Sequence, residues 1–140
     1  MSLLMLDTSA AIEILRGQQA PADLADTPFV ISTVVEMELW AGVYHAGGAV
    51  ERKKVEALLK SATVLAFDRA EAHEAAKVLA ELARAGQRIG DFDSQIAGHA
   101  RLLGAALLSA NERHFNRVTG LQVIPWHADN GEDGTKASGG

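Results

Sequence analysis

A chain of 140 residues, 48% apolar and 22% charged, is long enough for one domain with its own core and too short for two. It has no cysteine, which excludes disulfides, thiolate metal sites and cysteine nucleophiles and fits a reducing compartment. The net charge of −5 argues against a uniformly basic nucleic-acid binder, but a local basic rim around an acidic site is compatible with it.

Leu3-Leu4-Met5-Leu6 is an apolar run that stops at Asp7-Thr8-Ser9. With no basic n-region before it and no apolar stretch near the roughly 18 residues a membrane span needs, a cytoplasmic, non-membrane protein is expected. Ala10 to Arg16 reads as a helix closed by Gly17, and Pro21 to Ala25 as a short one. Phe29-Val30-Ile31 is a second strand, after which Ser32 or Thr33 caps a helix to about Tyr44. Glu36, three residues past Thr33, fits the reciprocal partner of a capping box. Val50 to Leu59 is a helix with a charged outer face. Thr63 to Ala66 is a third strand. Asp68-Arg69-Ala70-Glu71 is a capping box for a long helix to Ala85, closed by Gly86. Gly90-Asp91 opens a helix to about Leu103, closed by Gly104, with Asp91 as its expected cap. Ala105 to Leu108 is a fourth strand, Asn111 to Phe115 one helical turn, and Leu121 to Ile124 a fifth strand stopped by Pro125. The expected division is a domain over 1–127 and a flexible, Gly-rich polar tail over 128–140.

Strands alternating with helices predict an α/β fold: a three-layer α/β/α domain around a parallel sheet of four to five strands. In such sheets ligands bind beyond the carboxyl ends of the strands. Asp7 follows strand one there. Glu38 sits early in the helix after strand two. Asp91 and Asp93 open the helix that feeds strand four, and Ser109 and Asn111 follow that strand. All six therefore belong to one edge. Glu38 has Val34, Ala41 and Gly42 as its helical neighbours, and an acid on so small and apolar a stripe needs a partner. Converging carboxylates repel one another and call for a cation. Oxygen ligands alone select Mg²⁺ or Mn²⁺ over zinc. Such a site suits phosphodiester hydrolysis.

Other chemistries lack their residues. There is no Gly-rich phosphate loop and no nucleophile elbow. His45, His73, His99, His114 and His127 lack metal-ligand spacing and read as surface or supporting groups. An aspartate-based phosphotransfer domain would use Asp68, already committed to capping, and a late lysine, of which Lys136 alone is present. Trp40 and Tyr44, four apart on one helix, read as core or dimer interface.

Four segments also resemble the motifs of PIN-domain nucleases. Leu6-Asp7-Thr8-Ser9 is similar to their opening motif. Ile31 to Gly42 is similar to the second, whose acid precedes a leucine and stands four before a glycine, which selects Glu38. Ile89 to Ala97 is similar to the third, with the acid three after a glycine, which selects Asp93 and leaves Asp91 an accessory. Leu107 to Phe115 is similar to the fourth, with Ala110 and Asn111 where relatives often carry an aspartate or two asparagines. The resemblance runs from Met1 to about Trp126 and is greatest to VapC-type toxins of toxin–antitoxin pairs. It implies an endoribonuclease that uses Mg²⁺, with Mn²⁺ as a substitute, on structured RNA such as tRNA or rRNA. It also implies a homodimer inhibited by a VapB-type antitoxin, in a heterotetramer or larger assembly. Asp7, Glu38 and Asp93, with Asp91 as accessory, would hold the metal. Ser109 and Asn111 would position ligands or water, and Ser9 would support Asp7. Arg16, Arg88 and Arg113 are the candidates for the RNA backbone. The rival reading is a non-catalytic RNA- or protein-binding module on the same fold.

Overall fold

The computed structural model describes residues 3–126; the expected tail over 128–140 lies outside them. The order is β1 (Leu4–Leu6), α1 (Thr8–Leu15), a 3-10 turn (Ala22–Leu24), β2 (Val30–Ser32), α2 (Thr33–Ala46), α3 (Ala49–Ser61), β3 (Thr63–Leu65), α4 (Arg69–Ala85), α5 (Asp91–Leu103), β4 (Ala106–Ser109), α6 (Glu112–Phe115) and β5 (Gln122–Pro125). All five strands pair in parallel, in the order β3-β2-β1-β4-β5. The crossovers run outward from β1 to β3, then return across the sheet to β4 and β5. With right-handed connections, that reversal puts helices on both faces. It also makes the carboxyl ends of β1 and β4 the point where the winding direction changes, the crevice that ligands use in open sheets.

The central strands are apolar up to the serines that end β2 and β4, because both faces are covered. Met5, Leu6, Ile31, Leu107 and Leu108 are fully buried, and Val35 and Ile96 close over them from α2 and α5. Local signals set the helix ends. Asp68 and Glu71 form the expected capping box, and Gly86 and Gly104 close α4 and α5 in left-handed conformation, φ 67° and 66°.

Three local expectations are corrected. Asp91 is the first residue of α5 and Gly90 its cap, with no side-chain bond to the helix start. Of the two candidate caps Ser32 is the one that closes the start of α2, accepting from the Val34 N–H at 3.1 Å. Glu36 therefore has no capping box to complete, and its carboxylate accepts from the Trp40 indole N–H at 3.1 Å, one turn on. Pro125 does not stop β5 but ends it, in register with Ser109. Proline is tolerated here because β5 is an edge strand.

Candidate active site

Asp7 sits where β1 stops and α1 begins. Its backbone N–H still reaches the Leu108 carbonyl of β4, at 3.1 Å, so the strand pairing carries the residue to the crevice. Its side chain caps α1 through the Ala10 N–H at 2.8 Å. Two hydroxyls also donate to the carboxylate: Ser9 at 2.7 and 2.9 Å and Ser109 at 2.7 Å. Each hydroxyl in turn accepts a backbone N–H of the turn after β4, Ser9 from Ala110 at 2.9 Å and Ser109 from Asn111 at 2.8 Å. A hydroxyl has one proton, and with the N–H on its acceptor side that proton points at Asp7. Ser109 is therefore a support of Asp7, like Ser9, with its proton already committed.

Glu38 rises from the second turn of α2 and is half-buried. The Thr8 hydroxyl donates to it across the gap between α1 and α2. Asp93 lies in the first turn of α5, where the helix dipole favours an acid. Its Oδ2 is 3.1 Å from His114 Nδ1 on α6.

The charge of Asp93 bears on both Asp7 and Glu38. Burial pushes the Asp7 carboxyl above its usual range; the Ser109, Ala10 and Ser9 donors oppose this, and the charge of Asp93 adds to it. Burial likewise raises Glu38, the Thr8 hydroxyl lowers it, and Asp93 and Asp7 raise it further. Among the described residues, the ion-pair partner of these acids is His114 when protonated, 3.1 Å from Asp93. A divalent cation would relieve the repulsion.

The donor set fits a hard cation in its chemistry, being carboxylate oxygen throughout. No group of three His, Cys, Asp or Glu side chains among the described residues stands gathered as a cage. Thr8 holds Glu38 and His114 holds Asp93. Mg²⁺ does not require such a cage, because it keeps several waters and takes one or two carboxylates directly. Asp91 is exposed and makes no hydrogen bond or ion pair among the described residues.

The other candidates scatter. Asn111 is exposed, and its side-chain amide lies 3.0 Å from His114 Nδ1, next to Asp93 rather than Asp7. Arg88, in the loop before α5, and Arg113, on α6, are exposed on the Asp93 side, and the Arg117 guanidinium donates to the Arg88 carbonyl at 2.9 Å. Arg16 stands at the far end of α1, about 12 Å from the crevice at 1.5 Å per residue. It pairs with Glu13 at 3.5 Å and does not belong to the rim. Tyr44 is 71% exposed, so it is not core; it stacks on Trp40, with Arg52 over both rings. His99 is not at the surface. It is buried, and its Nδ1 hydrogen-bonds the Ser32 hydroxyl at 2.9 Å, the same oxygen that accepts from Val34.

Sequence reasoning gave no role to Thr8 and left His114 as a surface or supporting group with no named partner. Thr8 stands inside the opening motif, and its position beside Asp7 was the available signal. His114 had only its place one turn after Asn111.

An acidic crevice at the switch point of a 3-2-1-4-5 parallel sheet defines the class of protein. The PIN domain model matches residues 4–121. At sequence level the chain is 36% identical, over 128 residues, to the tRNA(fMet)-specific endonuclease VapC of Shigella flexneri, an alignment that covers 87% of this chain and 96% of that one. The DNA-bound VapBC of Salmonella typhimurium superposes with a TM-score of 0.78 at 30% identity, covering 90% of this chain and 99% of that one. VapBC2 of Rickettsia felis, bound to a promoter fragment, gives 0.80 at 25% identity, covering 89% and 98%. The chain belongs to the PIN domain family, in its VapC branch.

Proposed function

We propose that the chain is a Mg²⁺- or Mn²⁺-dependent endoribonuclease, the toxin of a VapBC-type pair, which hydrolyses phosphodiester bonds in structured RNA such as tRNA or rRNA. The observation that carries the metal-dependent reading is the trio Asp7, Glu38 and Asp93, brought to one crevice from three helices with hydrogen-bond donors set against their charges. The relatives' names, endonuclease and ribonuclease VapC, support nuclease activity. The similar chains solved as VapBC complexes support a VapB-type antitoxin as partner. An antitoxin arginine or lysine reaching the acids would satisfy the same charge that a cation does.

Asp7, Glu38 and Asp93 would hold the cation, directly or through water. When bound, it neutralises the converging charges and lowers the pKa of water for attack on the phosphate. Ser9, Ser109 and the Ala10 N–H keep Asp7 in place beforehand, so no reorganisation is needed during reaction. Arg88 and Arg113 would meet backbone phosphates beside the crevice. Homodimerisation and a cytoplasmic location belong to the same reading. The exposed Tyr44, stacked on Trp40, supplies apolar surface for a dimer.

The test is cleavage of total bacterial RNA by the purified, antitoxin-free chain with Mg²⁺ or Mn²⁺. Discrete fragments should appear, and should vanish with EDTA and in Asp93→Asn. Intact RNA with the folded wild-type chain would turn the reading toward a binding module.

A further inference from the structure

Each acid of the crevice has its own donor. Asp7 has three, Glu38 has Thr8, and Asp93 has the ring of His114. The His114 contact carries more information than a surface ion pair, because the tautomer follows from it. A carboxylate only accepts, so a 3.1 Å approach of Nδ1 to Asp93 Oδ2 is attractive only when Nδ1 bears the hydrogen. The Asn111 amide, 3.0 Å from the same nitrogen, must then present its oxygen; amide oxygen and nitrogen exchange by a rotation about one bond. A neutral ring protonated at Nδ1 can make the Asp93 contact, its one hydrogen shared with the Asn111 oxygen, so the contact needs no added charge. The ring is also anchored, since its neighbour Phe115 is fully buried and ties the single turn of α6 to the core.

We propose that His114 is a positioning residue for Asp93. Its Nδ1–H holds one carboxylate oxygen and keeps the side chain at the crevice against the repulsion of Asp7 and Glu38. Histidine–carboxylate contacts of this kind, one step removed from a metal, typically govern affinity by about 10–100-fold. The inference rests on the metal-dependent reading above, and its tests separate the two.

The first measurement needs no metal. Nitrogen-15 spectra of the full chain in EDTA, at a pH where the ring is neutral, should show His114 protonated at Nδ1. In Asp93→Asn that preference should weaken. A His114 protonated at Nε2 in the wild type overturns the proposal whatever the metal does. The second is Mn²⁺ binding followed by electron paramagnetic resonance. His114→Ala should weaken it by about 10–100-fold, with the melting temperature in EDTA unchanged. His114→Asn, whose amide nitrogen is bonded to Cγ as Nδ1 is, should restore most of the loss. Equal affinity in wild type and His114→Ala, or no rescue by asparagine, overturns the positioning role. Mn²⁺ binding that is also indifferent to Asp93→Asn overturns the metal-dependent reading itself.

Discussion

The seam between α4 and α5 and the crevice at the strand ends handle close approach in opposite ways. At the seam, unlike charges meet. Arg101 on α5 donates to Glu74 at 2.7 Å and Glu81 at 2.8 Å, both on α4, and to the Thr119 carbonyl at 3.1 Å. The backbones touch there: a Cβ on Gly98 would lie 2.6 Å from Ala75 Cα and 2.7 Å from its nitrogen. At the crevice, like charges meet and are held by hydroxyls, an N–H and one imidazole. The seam is built for stability. The crevice gives some stability up, which is the usual signature of a working site.

The largest effect should come from breaking the seam. Gly98→Ala is expected to cost about 3 kcal/mol, the upper part of the range for overpacking, read by urea denaturation. Ala75→Gly should not rescue it, because the nearest clashes are with the Ala75 backbone and not its methyl group.

His99 joins the two regions, since it stands on α5 one residue from Gly98 and hydrogen-bonds the hydroxyl of Ser32, the cap of the helix that carries Glu38. Burial holds its ring below the usual 6.5, partly opposed by Glu71. The unfolded chain therefore takes up the proton first. The stability of this group is full above about pH 6.5 and is lost as pH falls from there through the lowered folded value. His99→Gln, whose amide oxygen can accept from Ser32, should flatten the melting temperature between pH 5 and 7 by comparison with wild type. An unchanged slope would show that other groups carry it.

The smallest effect should be a gain. Glu38 is raised above its usual 4.5, so its protonated form favours the fold. That contribution is present below about pH 4.5 and lost as pH rises through the folded value. In EDTA at neutral pH, Glu38→Gln should melt slightly higher than wild type, by much less than Gly98→Ala loses. Near pH 4 the two should coincide. Cleavage should be lost in the same variant. A variant less stable at neutral pH would mean that the Thr8 contact outweighs the burial and repulsion.

Much of the crevice was legible in the chain. Asp7 ends an apolar run, Glu38 interrupts a small-residue stripe, and Asp93 follows a glycine at a helix start; each signal lies within a few residues of its acid. Alternation of strands and helices then assigned all three to one edge. Asp91 misled because Gly90 and Asp91 are both acceptable caps, and only the backbone distinguishes them. Arg16 misled because sequence proximity to Asp7 hid the length of the helix between them.

The sequence by itself determined the order of elements, most helix boundaries and the edge on which the acids fall, because periodicity, caps and left-handed glycines act over one or two turns. The tertiary structure alone decided the strand order, the Thr8–Glu38 and His114–Asp93 contacts, the burial of His99 and the need for glycine at position 98. Those depend on which surfaces meet across twenty or more residues of chain, and the energy of such a contact is not written at either of its ends.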